Sequence, residues 1–214
     1  MNDTLPLLKK LLSAPGLSGF EDPVRDIISE AWQPLADEIS ISRLGSLHAL
    51  KKGQGSEPRR KVMLSAHMDA IGLMVTNIQD GFLRFTEIGG IDSRILPGQL
   101  VTVHGREDLP GIVVQPPAFL LPEENSSGPI DMQFLLVDVG LRAKEVEQLV
   151  RVGDVISFAQ PPIELSGKTL SGHTLDNRAS VAAVTICLEL LQRRVHDWDV
   201  YAVATSQEEE TLGG

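Results

Sequence analysis

Between Thr4 and Ala14 the apolar residues Leu5, Leu8, Leu11 and Leu12 recur at helical spacing, and Pro15-Gly16 closes the run. A second stripe, Val24, Ile27, Ile28, Trp32 and Leu35, predicts a helix opened by Asp22-Pro23, with Pro34 kinking its last turn. Ile39 and Ile41 alternate with serines, and Leu47 and Ala49 follow Gly45-Ser46, the pattern of two strands joined by a turn. Gly53 to Arg60 is polar and reads as a loop. Val62 to Ala66 is a short, mostly apolar run of the kind found in strands buried on both faces, and it leads straight into His67.

From Ile71 onward the texture changes. The stretches Ile71–Val75, Phe82–Phe85, Leu100–His104, Gly111–Val114, Phe134–Val139 and Asp154–Phe158 are short, apolar and separated by turns such as Gln79-Asp80-Gly81 and Leu96-Pro97-Gly98. Strands at this pitch predict a small barrel or sandwich. Pro122 to Pro129 reads as a polar loop, and only Lys144 to Val150 has helical character in this section. After Pro161-Pro162 comes a glycine-bearing loop, Gly167 to Gly172, then a helix over Arg178 to Arg194 carrying Val181, Val184, Thr185, Leu188 and Leu191 on one face. Asp199 to Thr205 is again a short apolar strand. The chain therefore divides into an α/β domain, residues 1–70 and 160–214, interrupted by a β-rich insert over 71–159.

Composition narrows the partners. Aromatic residues are only 4% of the 214, so the core has to be built from Val, Ile, Leu and Ala. The net charge of -10 argues against a nucleic-acid or anionic-membrane partner, while surplus carboxylates suit divalent cations. No apolar run approaches the roughly 20 residues of a membrane span, and the first residues lack the basic and apolar regions of a secretory signal, so the expected compartment is the cytoplasm. A single cysteine, Cys187, excludes an internal disulfide framework and a cysteine-rich zinc site.

Three stretches could carry chemistry. His67-Met68-Asp69 follows the Val62–Ala66 run, and open α/β sheets build their sites at the carboxyl ends of strands. An imidazole that binds metal commonly has its second nitrogen held by a carboxylate, which His-x-Asp supplies; the plainer reading is a hydrogen-bonded pair in a turn. Asp176, ahead of the Arg178–Arg194 helix, is either a helix cap or a carboxylate bridging two cations, with Asn177 and Arg178 as supporting donors. His173, three residues earlier, reads as a water-exposed loop histidine. Glu208, Glu209 and Glu210 follow the strand Asp199–Thr205 and are either a solvated charge run or a site in which one carboxylate ligates metal and its neighbour acts as general base. A pair of divalent cations sharing a bridging carboxylate and a water uses all three stretches at once.

In that order, Ser65-Ala66-His67-Met68-Asp69-Ala70-Ile71-Gly72, Leu175-Asp176-Asn177-Arg178 and Gln207-Glu208-Glu209 resemble the metal-site motifs of peptidase family M42, the tetrahedral, deblocking and glutamyl aminopeptidases, some labelled endoglucanases. Gly89-Gly90-Ile91-Asp92, Leu96-Pro97-Gly98-Gln99, Val137-Asp138-Val139-Gly140 and Arg151-Val152-Gly153-Asp154 resemble the dimerisation insert of that family. The resemblance implies a three-layer α/β aminopeptidase domain, incomplete at its C-terminal end, with an inserted small β-barrel. It implies that His67 binds the first metal with Asp69 orienting it, Asp176 bridges both metals, Glu208 is the general base and Glu209 holds the second metal. The metals implied are zinc or cobalt, with manganese also suited to such ligands. The substrates implied are peptides cut at their N-terminal residue, and the assembly one of dimers building a dodecamer.

The sequence departs from the family pattern at Ala70, where Glu is common, and at Glu210-Thr211, where Val-Gly is usual. Family members continue beyond this length and contribute a further metal-binding Asp and His. The expectation is therefore an N-terminal part of an aminopeptidase, inactive and poorly stable by itself. Two alternatives stand beside it: a non-catalytic scaffold relative that oligomerises through its β insert, and another di-metal amidohydrolase. Glycan cleavage ranks below both, because a carboxylate pair flanking a sugar bond leaves the His-x-Asp unit unexplained.

Overall fold

The computed structural model describes residues 4–121 and 130–211; the polar loop read at Pro122 to Pro129 lies outside them. In chain order the elements are α1 (Leu5–Ser13), α2 (Asp22–Trp32), β1 (Glu38–Ile41), β2 (Leu47–Lys51), β3 (Lys61–His67), β4 (Gly72–Gln79), β5 (Phe82–Ile88), β6 (Leu100–His104), β7 (Asp108–Val114), β8 (Leu136–Asp138), α3 (Ala143–Leu149), β9 (Val155–Phe158), β10 (Ile163–Leu165), β11 (Thr169–Ser171), α4 (Leu175–Leu191), β12 (Asp199–Thr205) and α5 (Glu208–Thr211). They fall into two compact units, Met1–Ala70 with Pro161–Gly214, and Ile71–Gln160.

In the first unit a four-stranded sheet runs in the order β1-β2-β12-β3. β12 pairs antiparallel with β2 and parallel with β3, which sets Thr205 opposite His67. Helices α1, α2 and α4 touch one another and the sheet, forming one helical layer. Leu11, Val24, Ile28 and Trp32 bury their apolar faces there against Leu47, Ala49, Ala202 and Ala204. The indole N–H of Trp32 donates to Thr185 Oγ1 at 2.8 Å, so the largest side chain in this core is also polar-satisfied.

Three expectations change. β3 is an edge strand rather than one buried on both faces: it takes its sheet partner from β12, and Met63 is 67% exposed. α2 stops at Trp32 instead of continuing through a kink: Gln33 still has helical φ and ψ and donates to the Ser29 carbonyl, but Pro34 has no N–H with which to extend the ladder. Gly167 lies not in an irregular loop but in the turn of an antiparallel hairpin, β10–β11, where its φ of 80° suits a residue without a Cβ.

In the second unit β4-β5-β8-β7-β6-β9 close into a barrel, the first of the two β architectures expected. Alternate residues such as Leu73 and Val75, Leu83 and Phe85, and Val101 and Val103 fill its interior, with Val137 and Ile156. Val146 of α3 and the neighbouring Val150 belong to the same core. Among the described residues, no helix is long and apolar enough to cross a membrane.

Candidate metal centre

The parallel pairing of β3 with β12 brings two strand carboxyl ends side by side, tied by the Met68 amide donating to the Thr205 carbonyl at 2.9 Å. His67 is the last residue of β3, and the glutamates begin at the third residue after the end of β12. α4 brings in Asp176 at its first turn. These are the places where an open α/β sheet exposes backbone and side chains to a common crevice.

Five residues meet there. His67 Nε2 lies 3.1 Å from Asp176 Oδ1 and 3.7 Å from Glu208 Oε2. Its other nitrogen, Nδ1, is buried and lies 3.4 Å from Asp69 Oδ1, a charge contact longer than a well-formed hydrogen bond. One donor atom each from His67, Glu208 and Glu209 falls within 4.8 Å of the others. Glu210, by contrast, is exposed, so geometry separates the Glu208/Glu209 pair from the third glutamate of the run. His173 is half-buried rather than open to water.

Asp69 is fully buried and organises the site. Its Oδ1 accepts from the Glu208 amide at 3.1 Å, and its Oδ2 from the Glu209 amide at 3.0 Å and the Ser18 hydroxyl at 2.8 Å. Burial alone would raise its pKa, but His67, these two amides and Ser18 overcome that and hold the carboxyl below its ordinary value. Reaching this geometry requires a left-handed residue between β12 and α5, and Gln207 supplies it at φ 59°. For a residue with a Cβ that conformation costs about 1 kcal/mol, so something must hold it. The Glu21 carboxylate does, accepting from the Gln207 amide at 2.9 Å.

The Asp176 carboxylate, largely exposed, meets the His67 imidazole, while residues 176 and 177 interrupt the helical backbone at the start of α4. Arg178 differs from expectation more sharply. It is fully buried, and all its hydrogen bonds go to backbone carbonyls: Leu11 at 2.7 Å, Ala14 at 2.6 Å, Gly16 at 3.1 Å and Met68 at 2.9 Å. Arg178 thus fixes the His67-Met68-Asp69 turn from behind rather than facing the crevice. Desolvation lowers its pKa to about 10, so it remains charged at neutral pH.

The donor set suits a divalent cation. One imidazole and several carboxylates converge, and the site is short of positive charge. Glu209 is pushed up by burial, and further by the nearby carboxylates of Asp69, Asp176 and Glu208, with His67 opposing. A cation would relieve that crowding. Nitrogen and oxygen donors of this kind fit zinc, cobalt or manganese.

Without metal, His67 takes a proton instead. Asp69 raises its pKa from 6.5 to about 9, burial opposes, and Asp176 adds to the rise. Folded protein then binds more protons than unfolded protein between these values. The stabilisation is complete below pH 6.5 and is lost as pH rises through about 9. The urea midpoint of metal-free protein is expected to fall across that window. His67→Asn should flatten the slope, and saturating zinc should reverse it, because ligation requires the neutral imidazole.

A parallel-paired α/β unit with such a cluster at its strand ends, in one chain with a six-stranded barrel, defines the class of protein, and comparison with known proteins gives the family. The chain belongs to the M42 glutamyl aminopeptidase family, whose model matches residues 45–214. It is 36% identical over 214 residues to a lysyl aminopeptidase of Pyrococcus furiosus, covering 97% of this chain and 60% of that protein. It superposes with a TM-score of 0.91 on a TET aminopeptidase from the marine sediment archaeon Thaumarchaeota archaeon SCGC AB-539-E09, at 30% identity, covering 98% of this chain and 60% of that one. With the TET1 peptidase of Pyrococcus horikoshii, described as assembling into a tetrahedron or a large octahedral shell, the TM-score is 0.84 at 32% identity, covering 98% of this chain and 63% of the other. The chain thus spans about 60% of the length of these relatives.

Sequence reasoning found His67, Asp69, Asp176, Glu208 and Glu209 but missed Ser18 and Glu21. Both lie in the connection between α1 and α2 and reach the site through main-chain amides and the Asp69 carboxylate, contacts that leave no pattern in the sequence.

Proposed function

We propose that the whole protein is a metal-dependent aminopeptidase that removes N-terminal residues from peptides. The observation that carries this reading is the convergence of His67, Glu208 and Glu209 within 4.8 Å, with Asp176 3.1 Å from the same imidazole nitrogen. His67, Asp176 and Glu209 would hold the cations, Asp176 as the shared carboxylate, being exposed and 3.1 Å from His67 Nε2. Two divalent ions would supply an acidified water and polarise the scissile carbonyl. Asp69 keeps the His67 ring turned so that Nε2, not Nδ1, faces the carboxylates. Glu208 would take the proton from water and pass it to the departing amine; its side chain is 40% exposed and 3.7 Å from His67 Nε2.

The likeness to TET peptidases described as a dodecamer and as a tetrahedron or octahedral shell supports a homo-oligomer, which we read as dimers, joined through the barrel, building a dodecamer.

These 214 residues would bring each cation fewer than the three protein ligands of a catalytic zinc site. They are therefore inactive alone, and activity belongs to a polypeptide of the relatives' length. Aminoacyl p-nitroanilides test both parts. Zinc- or cobalt-dependent cleavage is expected from the longer polypeptide and none from these residues. Cleavage that survives chelation in the longer form would reject the mechanism.

A further inference from the structure

We infer that Glu21 is a positioning residue for the glutamate pair, acting through the backbone of Gln207; this rests on the metal-site reading above. Glu21 is 4% exposed, although it is a carboxylate in a loop ahead of a helix. Its Oε1 accepts from two amides, Gly19 at 2.8 Å and Gln207 at 2.9 Å. Asp69 accepts the next two amides along the chain, those of Glu208 and Glu209. Three consecutive N–H groups are thus gripped by two carboxylates from two other segments.

These amides open the short α5, where backbone donors have no acceptor of their own along the helix. Asp69 fixes the amides that follow Gln207 but not the one before its side chain. The Glu21 contact fixes that preceding peptide plane, and with the planes on both sides held, Gln207 is kept at its left-handed φ of 59°. The loop that carries Glu21 is itself bound to the His67 side of the crevice. Ser18 donates its hydroxyl to Asp69, its amide donates to the Ala70 carbonyl, and the Ala70 amide donates to Gly16. One loop therefore sets the positions of the imidazole and of both glutamates with respect to each other.

The role requires an acceptor oxygen at a fixed reach and does not require charge. Glu21→Gln keeps the oxygen and the reach, Glu21→Asp keeps the charge but shortens the reach, and Glu21→Ala removes both. Amide exchange by NMR on the metal-free 214-residue chain reads the contact directly. The Gln207 amide should exchange at least tenfold faster in the Ala and Asp variants, with the β12 amide of Val203 unchanged, while Gln stays within threefold of wild type. Cobalt affinity should follow the same order, falling about 10- to 100-fold for Ala and Asp and little for Gln, the range seen when groups supporting metal ligands are removed.

Unchanged Gln207 exchange in Glu21→Asp overturns the proposal, as does equal loss in Gln and Asp, which would make charge the requirement. If Ala fails to fold, the Gln and Asp pair still decides. If wild-type polypeptide of the relatives' length binds no cobalt, the metal-site reading falls, while the exchange data still judge Glu21.

Discussion

Arg178→Met is expected to lower the stability of the α/β unit by about 3–5 kcal/mol, since buried acceptors left without a donor cost about 1–3 kcal/mol each while the desolvation cost of the guanidinium is recovered in part. Methionine fills most of the volume, so the loss comes from the carbonyls of Leu11, Ala14 and Met68, which lose the guanidinium donor, and from that of Gly16, which keeps only the Ala70 amide. Leu11 and Ala14 sit at the C-terminal end of α1, where helix carbonyls lack intrahelical partners and a cation is favourable. Arg178→Lys should recover only part of the loss, since a single ammonium cannot reproduce a planar fork with donors in several directions. Gly16 fits the same arrangement: a Cβ there would lie 2.8 Å from Arg178 Nη2 and 2.6 Å from Val24 Cγ1. Urea unfolding followed by tryptophan fluorescence checks this, because Trp32 reports on this core. A loss below about 1 kcal/mol would mean that these carbonyls find other donors.

Glu208→Gln is expected to separate chemistry from metal binding. In the polypeptide of the relatives' length, kcat should fall about 10²- to 10⁴-fold, the usual worth of a general base, with metal content unchanged. Glu209→Gln should instead lower metal affinity, with activity partly restored by excess metal. The two glutamates are adjacent, similar in burial and both within reach of His67, so the contrast is a demanding one. Metal analysis alongside aminoacyl p-nitroanilide kinetics reads both. The opposite pattern would exchange their roles.

Much of this site was legible because its residues follow strands or precede a helix, and periodicity marks where those elements end. His67 was legible because an apolar run ends on it, and Glu208 and Glu209 because the next such run stops just before them. What sequence could not show was the pairing between β3 and β12, which is non-local and decides that those two ends meet. The burial of β3 was overread for the same reason: an apolar run looks alike in a central and an edge strand. Arg178 was recognised as a donor, but its acceptors are main-chain carbonyls, which carry no side-chain signature. Glu21 stayed hidden because its partner is an amide 186 positions away.

The central claim, that three distant stretches of this chain hold divalent cations, is tested most directly by zinc titration of the 214-residue chain, comparing wild type with His67→Ala and Asp176→Ala. The account predicts binding to wild type that each substitution weakens at least tenfold, both variants remaining folded by circular dichroism. Zinc binding of equal affinity in all three proteins would contradict it.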